Sequence, residues 1–500
     1  MMYLGSWPKL VSATLVAWAS WYVYRFILKP RMRPNEPPEL PYLVPFVGHI
    51  LSMSTRAHQL FARGRKYFNN SPWALKIMGE SLYIISSPED VLSVFKMSKA
   101  LDFDTIISEI LGKYGLHSKT VERMTVPHDG SSKVWMDTSI ANFKTQLHPG
   151  PRLDTLQKNI LENINTSLTW EKITGQMIHS IDGNTKTVSL WELCLTVIID
   201  SQTRTFFDPI IYETSPEILS QYQTFLSESW KIPMDLPSYF TKTLRSSQEN
   251  LVDGFTRYIK LPKSSRSDES WVINEICDSL SALGIEDSDI ALNLLITYHL
   301  FNTNAFKLVF WTLSYILFDP VLLKDLKKEI EPVFADSESP NVSNLFNSCP
   351  LLHSTCEEAL RLTIWSMGVR SVTSPCTISG KTLQPGHKLL MPYRVMHFNA
   401  AVFGSHPEKF NPKRFMEDKD LVKSTSYRPF GGGSHLCPGR LLARREVQVF
   451  VAAVLHRFEI EVDRERGKEA KFPKMDDGMP SGGIQDPVKG ERVLMRMRQI

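Results

Sequence analysis

The stretch PFGGGSHLCPGR, residues 429–440, decides how the rest of the chain is interpreted. Its three consecutive glycines allow a backbone with positive φ that approaches a flat ligand closely. Cys437 and Pro438 follow, and an apolar-periodic run, GRLLARREVQVFVAAVLHRF, comes next. Because proline is favoured in the first turn of a helix, this order predicts a helix over 438–457 with Cys437 at its N-cap. The positive end of the helix dipole favours a thiolate there, so we expect a metal ligand or a nucleophile.

Four residues of this stretch carry a resemblance to a known family. Phe430, Gly433, Cys437 and Gly439 match the FxxGxxxCxG haem-binding loop of the cytochrome P-450 family, which the chain resembles from its N-terminal segment to its last strand. The resemblance implies a mainly α fold with small β-sheets, the cytochrome P-450 fold, preceded by one N-terminal transmembrane helix. The alternative for Cys437, a buried structural cysteine after a turn, leaves the three glycines unexplained.

Two further motifs stand in the order that the family has. Glu358 and Arg361 form ExxR in CEEALRL, and Arg414 lies in FNPKRF, which resembles the family's PxRF motif. The resemblance implies that these three residues form a buried ion-pair network that supports the haem loop. The spacing agrees, because residues three apart share one helix face and an arginine can bind a carboxylate through two hydrogen bonds.

The resemblance implies haem b as the cofactor and Cys437 as the axial ligand of its iron, favouring O–O cleavage. His435 stands where many relatives have an arginine that binds a haem propionate, and Arg370, in VRSVTSPCTISG, matches another propionate-binding position. The expected cofactor-binding set is Cys437, His435, Arg370, Phe430, Gly433 and Gly439. The family's WxxxR signature is not evident, because the region around Trp135 lacks the arginine, and a further propionate partner stays unassigned.

The long predicted central helix departs from the family's pattern. Counting back from Trp311, the usual acid–threonine pair falls on Thr303 and Asn304, which we predict as the catalytic pair. An amide and a hydroxyl can bind dioxygen or a water but cannot act as an acid. Related patterns occur in the branch of sterol 7α-hydroxylase and prostacyclin synthase and in fungal enzymes of secondary metabolism. The alternative is that the two side chains satisfy each other in a kinked helix.

Two functions remain open at this point. The first is a monooxygenase that inserts one oxygen atom of O₂ into a lipophilic substrate of terpenoid, steroid or polyketide size, in secondary-metabolite biosynthesis. Its electrons would come from NADPH through NADPH–cytochrome P-450 reductase, with cytochrome b5 as an optional donor. The second is a reductase-independent isomerase or dehydratase acting on a peroxide or epoxide, which the missing acid suits. A non-enzymatic haem sensor is a distant third, because the membrane anchor and the apolar distal helix suit it less well.

Three other segments bear on partners and substrate. Residues 101–116 and 217–240 are apolar and aromatic, and by resemblance they line the pocket or touch membrane lipid. The basic residues after the cysteine, Arg440, Arg444 and Arg445, either face an acidic redox partner or form an ordinary solvated helix face.

The N-terminal region predicts a membrane anchor. Residues 10–28, LVSATLVAWASWYVYRFIL, are long enough to cross a bilayer, and the basic cluster after them predicts a cytoplasmic flank. We predict an anchor over 1–28, a basic, proline-rich hinge over 29–45 that is not helical and acts as a stiff spacer, and a haem-binding monooxygenase domain over 46–500. This implies a single-pass protein of the endoplasmic reticulum membrane with a cytosolic catalytic domain. The alternative is a removed signal peptide, in which the charges normally precede the apolar run.

Composition excludes several classes of protein. A net charge of +4 over 500 residues is too balanced for binding nucleic acid through bulk electrostatics. The six cysteines form no CxxC pair, which argues against structural zinc and a disulfide-rich fold. Periodicity predicts helices around 154–170, 186–201, 287–317, 322–334, 350–363 and 438–457. Strands are predicted at 74–86, 371–391 and 490–498, and loops at 146–152 and 475–488.

Overall fold

The structure is a computed structural model that describes residues 7–127, 134–234, 236–334, 339–464, 470–478, 481–491 and 493–500. Within them the α-helices, α1 to α22 in chain order, are Trp7–Val23, Lys29–Met32, Ile50–Tyr67, Pro88–Lys96, Asp104–Tyr114, Ser118–Thr125, Trp135–Leu147, Pro151–Ser167, Leu190–Phe206, Ile211–Thr214, Ile218–Glu228, Ser238–Ile259, Trp271–Ala282, Asp287–Asn302, Ala305–Leu317, Pro320–Ile330, Val342–Ser348, Pro350–Thr363, Tyr393–His397, Ala400–Phe403, Arg414–Glu417 and Arg440–Arg457. The strands, β1 to β11, are Trp73–Ile77, Glu80–Ile84, Leu101–Asp102, Ile178–Asp182, Thr185–Ser189, Met367–Val372, Cys376–Ile378, Lys381–Leu383, Lys388–Pro392, Phe458–Val462 and Leu494–Gln499.

The strands of the described chain form small sheets at the margins of a helical body. One sheet has the order β1-β2-β9-β6-β3, a second has β10-β11-β5-β4, and β7 pairs with β8. In the first sheet β2 and β9 run parallel, whereas β6 pairs antiparallel with both β9 and β3. This architecture confirms the predicted mainly α fold with small sheets.

The centre of the body is α15, which packs against α9, α18 and α22. Almost every residue of α15 is buried, including Trp311 and Phe310. A helix that is apolar on all sides is stable only when other elements cover it completely. This central position brings the N-terminal end of α15 close to the loop that precedes α22.

Three predicted helix boundaries were wrong. The helix expected over 186–201 begins at Leu190, because the residues before it form β5, which pairs with β11 from the far end of the chain. The helix expected over 287–317 breaks at Thr303 and Asn304 into α14 and α15. At the break, Asn302 Nδ2 donates to the Tyr298 carbonyl at 3.0 Å, and side chains that bond the preceding turn compete with the helical backbone.

The helix after the cysteine also begins later than predicted. Its first residue is Arg440 and its N-cap is Gly439, so Cys437 is not the N-cap. The Cys437 N–H instead donates to the Phe430 carbonyl at 3.1 Å. This bond closes the glycine loop on itself and keeps Cys437 and Pro438 within the turn.

The N-terminal helical stretch is continuous from Lys9 to Met32, long and apolar enough to cross a membrane, and not buried in the body. Pro30 lies in the first turn of α2, so the start of the predicted non-helical hinge is helical. The rest of the hinge folds back against this helix rather than extending away from it. Arg25 donates two hydrogen bonds of 2.8 Å to Glu39, and the Trp18 indole donates to the Leu43 carbonyl at 2.7 Å.

Candidate functional site

A cavity of about 450 Å³ lies between the glycine loop and the broken central helix. Residues of the loop, among them Cys437, form one wall, and Leu300, Phe301, Asn304, Ala305 and Leu308 from around the break form the opposite one. Gly482 to Ile484, near the C-terminus, complete the lining. The walls are mostly apolar, which suits a lipophilic ligand.

Cys437 is exposed to this cavity. The protein around the cavity shields the thiol from bulk water and thereby raises its pKa, and the backbone N–H groups of Gly439 and Arg440 act in the opposite direction. The predicted stabilisation of the thiolate assumed that Cys437 is the N-cap, whereas the N-cap is Gly439. A metal bound to the sulfur would deprotonate it on coordination.

The donor set indicates what kind of metal site this is. Among the described residues, no group of three or more His, Cys, Asp or Glu side chains could hold a metal ion. A single thiolate is a donor set that suits haem iron, whose other ligands come from the prosthetic group. Gly431, Gly432 and Gly439 line the cavity beside the Cys437 thiol, so the residues present fit haem.

The glycines of the loop are required by close packing against Phe95. Gly431 and Gly433 have positive φ values of 75° and 68°, as predicted for this loop. A Cβ at Gly432 would lie 2.5 Å from Phe95 Cε2, and one at Gly433 would lie 3.0 Å from Phe95 Cγ. Side chains at these positions would push the loop away from the helix α4 that carries Phe95.

One end of the cavity carries the basic residues Arg370 and His435. Arg370 is buried and donates to the carbonyl of its neighbour Val369 at 2.7 Å. Burial lowers its pKa, and no carboxylate oxygen of the described residues lies within 4.0 Å of its guanidinium. The predicted residue His435 lies beside it and packs edge-on against Phe103, with ring centroids 4.6 Å apart. Burial and Arg370 lower the His435 pKa, although Asp104 Oδ1 lies 3.7 Å from its Nε2.

Two further basic residues lie near Arg370 and His435, and neither was predicted from the sequence. Arg428 lies over the Phe95 ring at 5.3 Å, and its Nε is buried without a partner. Lys144 Nζ is 3.5 Å from the Ser434 carbonyl, and Lys144 lines an adjoining cavity of about 510 Å³ with Arg370 and His435. In α7, Ile140 and Lys144 have the same four-residue spacing as the tryptophan and arginine of WxxxR. Since both residue types differ from the motif, this spacing was the only signal for Lys144 in the sequence. Anionic groups of a ligand are the natural partners of such a cluster.

The ExxR and PxRF residues meet as predicted. Arg361 donates to both oxygens of Glu358 at 2.8 Å, and Arg414 Nε lies 3.1 Å from each of them. Arg361 also donates to the His397 carbonyl at 2.7 Å, which joins α18 to α19. The Glu358 and Arg361 side chains are completely buried. We call Glu358, Arg361 and Arg414 the loop-support network.

A second buried ion pair lies beside this network and was not predicted. Arg444 donates to both oxygens of Glu357, at 2.5 and 3.0 Å, and the Tyr427 hydroxyl donates to Glu357 Oε2 at 2.7 Å. Burial would raise the Glu357 pKa, but the Arg444 charge and hydrogen bonds outweigh it and hold that pKa below its ordinary value. Arg444 also lies 4.7 Å from the centre of the Phe430 ring. It therefore braces the cysteine loop instead of forming a solvated helix face.

The other two arginines that follow the cysteine in the sequence, Arg440 and Arg445, also make contacts in the structure. Arg445 donates to Gln157 at 2.6 Å, and Arg440 donates to the Cys437 carbonyl at 3.1 Å.

Of the predicted catalytic pair, the structure brings one residue to the cavity. Asn304 lines the cavity, and its Oδ1 accepts a hydrogen bond of 2.8 Å from the Ile484 N–H. The Thr303 hydroxyl donates to the His299 carbonyl, and Thr303 is not among the described residues of the lining. The side chains are thus bonded to different partners, not to each other.

A buried acid near the cavity was also missed. Glu446 is 2% exposed, lines the cavity and accepts a hydrogen bond of 2.8 Å from Gln202 Nε2. Burial raises its pKa to about 8. Its Oε1 has no partner in the described part of the chain. Nothing in the sequence around Glu446 distinguishes it from a surface glutamate, because the residue follows two arginines on a helix.

The two segments expected near the substrate differ in position. Phe103, Ile106 and Ile110 of segment 101–116 line the cavity, whereas no described residue of 217–240 does. The second segment instead exposes Tyr239 and Phe240.

A cysteine presented alone by a glycine loop, in a mainly helical body with basic groups at one end of the cavity, defines the class of haem-thiolate enzymes. Comparison with known proteins agrees: residues 305–486 match the family model for cytochrome P-450. Cytochrome P-450 monooxygenase poxD of Penicillium oxalicum is 23% identical over 94% of this chain and 96% of its own length. A cytochrome P-450 monooxygenase of Gibberella zeae is 25% identical over 98% and 94%. Cholesterol 7-alpha-monooxygenase of Cricetulus griseus is 21% identical over 98% of both chains.

Over residues 305–486 the chain is thus similar to the cytochrome P-450 family, and the named relatives are monooxygenases, which are oxidoreductases. The family implies a haem iron, which agrees with the donor set at Cys437.

Proposed function

We propose that the protein is a membrane-anchored haem-thiolate monooxygenase that inserts one oxygen atom of O₂ into a lipophilic substrate in secondary-metabolite biosynthesis. The observation that carries the proposal is Cys437, which the glycine loop presents alone to a mostly apolar cavity. Electrons come from NADPH through NADPH–cytochrome P-450 reductase, with cytochrome b5 as an optional donor. The apolar N-terminal helix supports residence in the endoplasmic reticulum membrane, with the catalytic domain in the cytosol.

Each residue near the cavity has a distinct part in this proposal. When bound, the haem supplies the iron that activates oxygen. Cys437 binds that iron, and Phe430, Gly433 and Gly439 shape the loop that presents the sulfur. Arg370, Arg428, His435 and Lys144 would bind the carboxylates of the cofactor, which agrees with the unpartnered buried Nε of Arg428.

The two ion-pair groups hold the loop that carries the cysteine. The loop-support network fixes α18 against α19 and α21, and the Glu357–Arg444 pair fixes α18 against α22. Because α22 follows the cysteine directly, these pairs limit movement of Cys437 relative to the rest of the body.

The cavity wall opposite the cysteine loop binds substrate and holds water or dioxygen. Asn304 is the residue of the predicted pair that contributes there, since its Nδ2 hydrogens have no partner among the described residues while its Oδ1 is engaged. Thr303 would contribute only if its hydroxyl left the His299 carbonyl. A substrate of terpenoid, steroid or polyketide size suits the apolar lining, and the Cricetulus griseus relative is named for cholesterol.

A second candidate function is an isomerase or dehydratase that acts on a peroxide or epoxide and needs no reductase. The observation that favours it is the same distal pair: neither Thr303 nor Asn304 is an acid, and the Thr303 hydroxyl already donates to the backbone. Such a reaction needs no proton delivery to activate dioxygen.

The test compares the two functions directly. Microsomes containing the protein, with and without added reductase, are given NADPH, ¹⁸O₂ and a panel of sterols, terpenoids and polyketides. A monooxygenase gives products that carry one ¹⁸O atom only when the reductase is present, and Cys437→Ser gives none. Turnover of a peroxide or epoxide without NADPH or reductase, and without ¹⁸O, would instead establish the second function.

A further inference from the structure

The loop near the C-terminus, residues 481–486, is bonded along one face of the central helix. Asn304, Lys307 and Trp311 are spaced three and four residues apart, so they share that face. Asn304 Oδ1 accepts from the Ile484 N–H at 2.8 Å, the Trp311 indole donates to the Gln485 carbonyl at 2.7 Å, and Lys307 lies 2.8 Å from Asp486. We call residues 481–486 the C-terminal loop.

The C-terminal loop is also fixed from its other side. The backbone N–H of Trp365 donates to the Gly483 carbonyl at 2.7 Å, and the backbone N–H of Gln485 donates to the Thr363 carbonyl at 2.9 Å. The loop is thus held between the end of α18 and the start of α15, and its Gly482–Ile484 segment lines the cavity. Its position sets the width of the cavity at this wall.

Asn304 and Gly483 are matched in shape. A Cβ at Gly483 would lie 1.9 Å from Asn304 Oδ1, 2.5 Å from its Cγ and 2.6 Å from its Nδ2. The φ of Gly483 is not positive, so the glycine is needed for space and not for backbone conformation. The Asn304 amide occupies the volume that a side chain at position 483 would take.

The bond to Ile484 also orients the Asn304 amide. With Oδ1 engaged by a backbone donor, the end of the amide that remains available is the donor end, Nδ2. An aspartate at 304 would keep the acceptor for the Ile484 N–H but would offer no hydrogens to the cavity.

We propose that Asn304 is a positioning residue that holds the C-terminal loop against the cavity, so that Gly482–Ile484 form a fixed wall that selects which ligands fit. This inference rests on the proposed function only in taking the cavity as the haem and substrate site. The bond between Asn304 and Ile484 is expected whether or not the reaction is an oxygenation.

The first experiment needs neither a substrate nor activity. Backbone hydrogen exchange is followed by mass spectrometry in the intact protein, in a peptide that contains residues 481–486. In Asn304→Ala the Ile484 N–H loses its acceptor, and we expect its exchange to become about tenfold faster. Asn304→Asp keeps the acceptor and exchanges like the wild type. The matched control is Asn341→Ala, which removes a similar side-chain acceptor, for the Asn344 N–H, at the N-terminus of α17; it leaves the C-terminal loop unchanged.

The second experiment tests whether the wall formed by Gly482–Ile484 affects ligand binding. The Kd values of two ligands of haem iron, imidazole and the bulky azole clotrimazole, are measured from difference spectra. Imidazole is small enough to reach the iron without touching the wall, whereas clotrimazole fills the cavity. We expect Asn304→Ala and Gly483→Ala each to change the Kd for clotrimazole by about fivefold or more, and the Kd for imidazole by less than twofold. In the double variant the alanine at 483 no longer meets the Asn304 amide, so its effect should be smaller than in the single variant.

The outcomes separate this inference from the proposed function. Unchanged exchange at Ile484 in Asn304→Ala, or strictly additive effects of the two substitutions on clotrimazole binding, would overturn the positioning role. If the reduced wild-type protein lacked the thiolate–haem spectrum, the proposed function would fail, while the exchange experiment would still decide the role of Asn304.

Discussion

At the scale of single residues, Glu358 shows how much depends on one carboxylate. It accepts hydrogen bonds from two guanidinium groups and from the Asn411 N–H, at 2.8 to 3.1 Å. Removal of this carboxylate leaves the charge of Arg361 completely buried without its counter-ion. We expect Glu358→Ala to lower the free energy of unfolding by about 3–5 kcal/mol, with loss of haem, because uncompensated buried charge is costly.

The measurement is denaturant unfolding together with haem content per polypeptide. Its control is Asp420→Ala, which breaks the Asp420–Lys423 pair, whose side chains are 85% and 79% exposed. That change should cost less than about 1 kcal/mol. Equal losses in the two variants would contradict the buried network.

Glu446 predicts a dependence of stability on pH. Its pKa is about 8 in the folded protein, against an ordinary 4.5. Between these values the folded protein keeps a proton that the unfolded chain releases, so this residue makes the protein less stable as the pH rises from about 4.5 to 8. Glu446→Gln removes that term, and the variant should gain in melting temperature relative to the wild type between pH 5.5 and pH 8.

The control for this prediction is Glu162→Gln, an exposed glutamate on α8. It should keep the same pH profile as the wild type. Parallel profiles for Glu446→Gln and the wild type would show that Glu446 is ionised in the folded protein.

At the scale of elements, the N-terminal helix is attached to the body and does not hang from a free spacer. Arg25 and Glu39 form a two-bond ion pair, and Trp21 and Phe26 pack against Tyr42 with ring centroids 5.6 and 5.1 Å apart. The residues on both sides of Glu39, Pro38 and Leu40, are bonded to β1: the Leu40 N–H donates to the Ala74 carbonyl, and the Ala74 N–H donates to the Pro38 carbonyl. These contacts fix the angle between the N-terminal helix and the body.

Glu39→Ala should loosen this attachment without unfolding the body. We expect trypsin to cleave after Arg31 several-fold faster in microsomes, because cleavage requires local opening of the helix. Lys158 and Glu162 form an exposed pair far from the anchor, so Glu162→Ala serves as the control. An unchanged cleavage rate in Glu39→Ala would mean that the ion pair does not hold the helix.

The elements that periodicity predicted well are those whose burial follows from their own sequence. The helices α8, α16 and α18 lie within a few residues of their predicted positions because each has a regular apolar face. The strand β5 was missed because its stability depends on β11, some three hundred residues away, and this pairing leaves no local signal. The break at Thr303 and Asn304 depends on contacts with the C-terminal loop in the same way.

At the scale of the whole molecule, the sequence motifs predicted the cysteine, the loop-support network and Arg370, because each of these residues stands at a fixed position in a recognisable pattern. They did not give Arg428, Lys144, the Glu357–Arg444 pair or Glu446. These residues acquire their environments only when α7, α18 and α22 meet around one cavity. An arginine after a cysteine loop looks the same in sequence whether it faces a redox partner or a buried glutamate.

The central claim is that Cys437 binds the iron of a haem in this cavity. The most direct test is the carbon-monoxide difference spectrum of the dithionite-reduced protein in microsomes, recorded for the wild type and for Cys437→Ser. We expect a strongly red-shifted Soret band in the wild type, which is the signature of a thiolate ligand, and its loss in the variant. Bound haem without that band in the wild type, or the same band in Cys437→Ser, would contradict it.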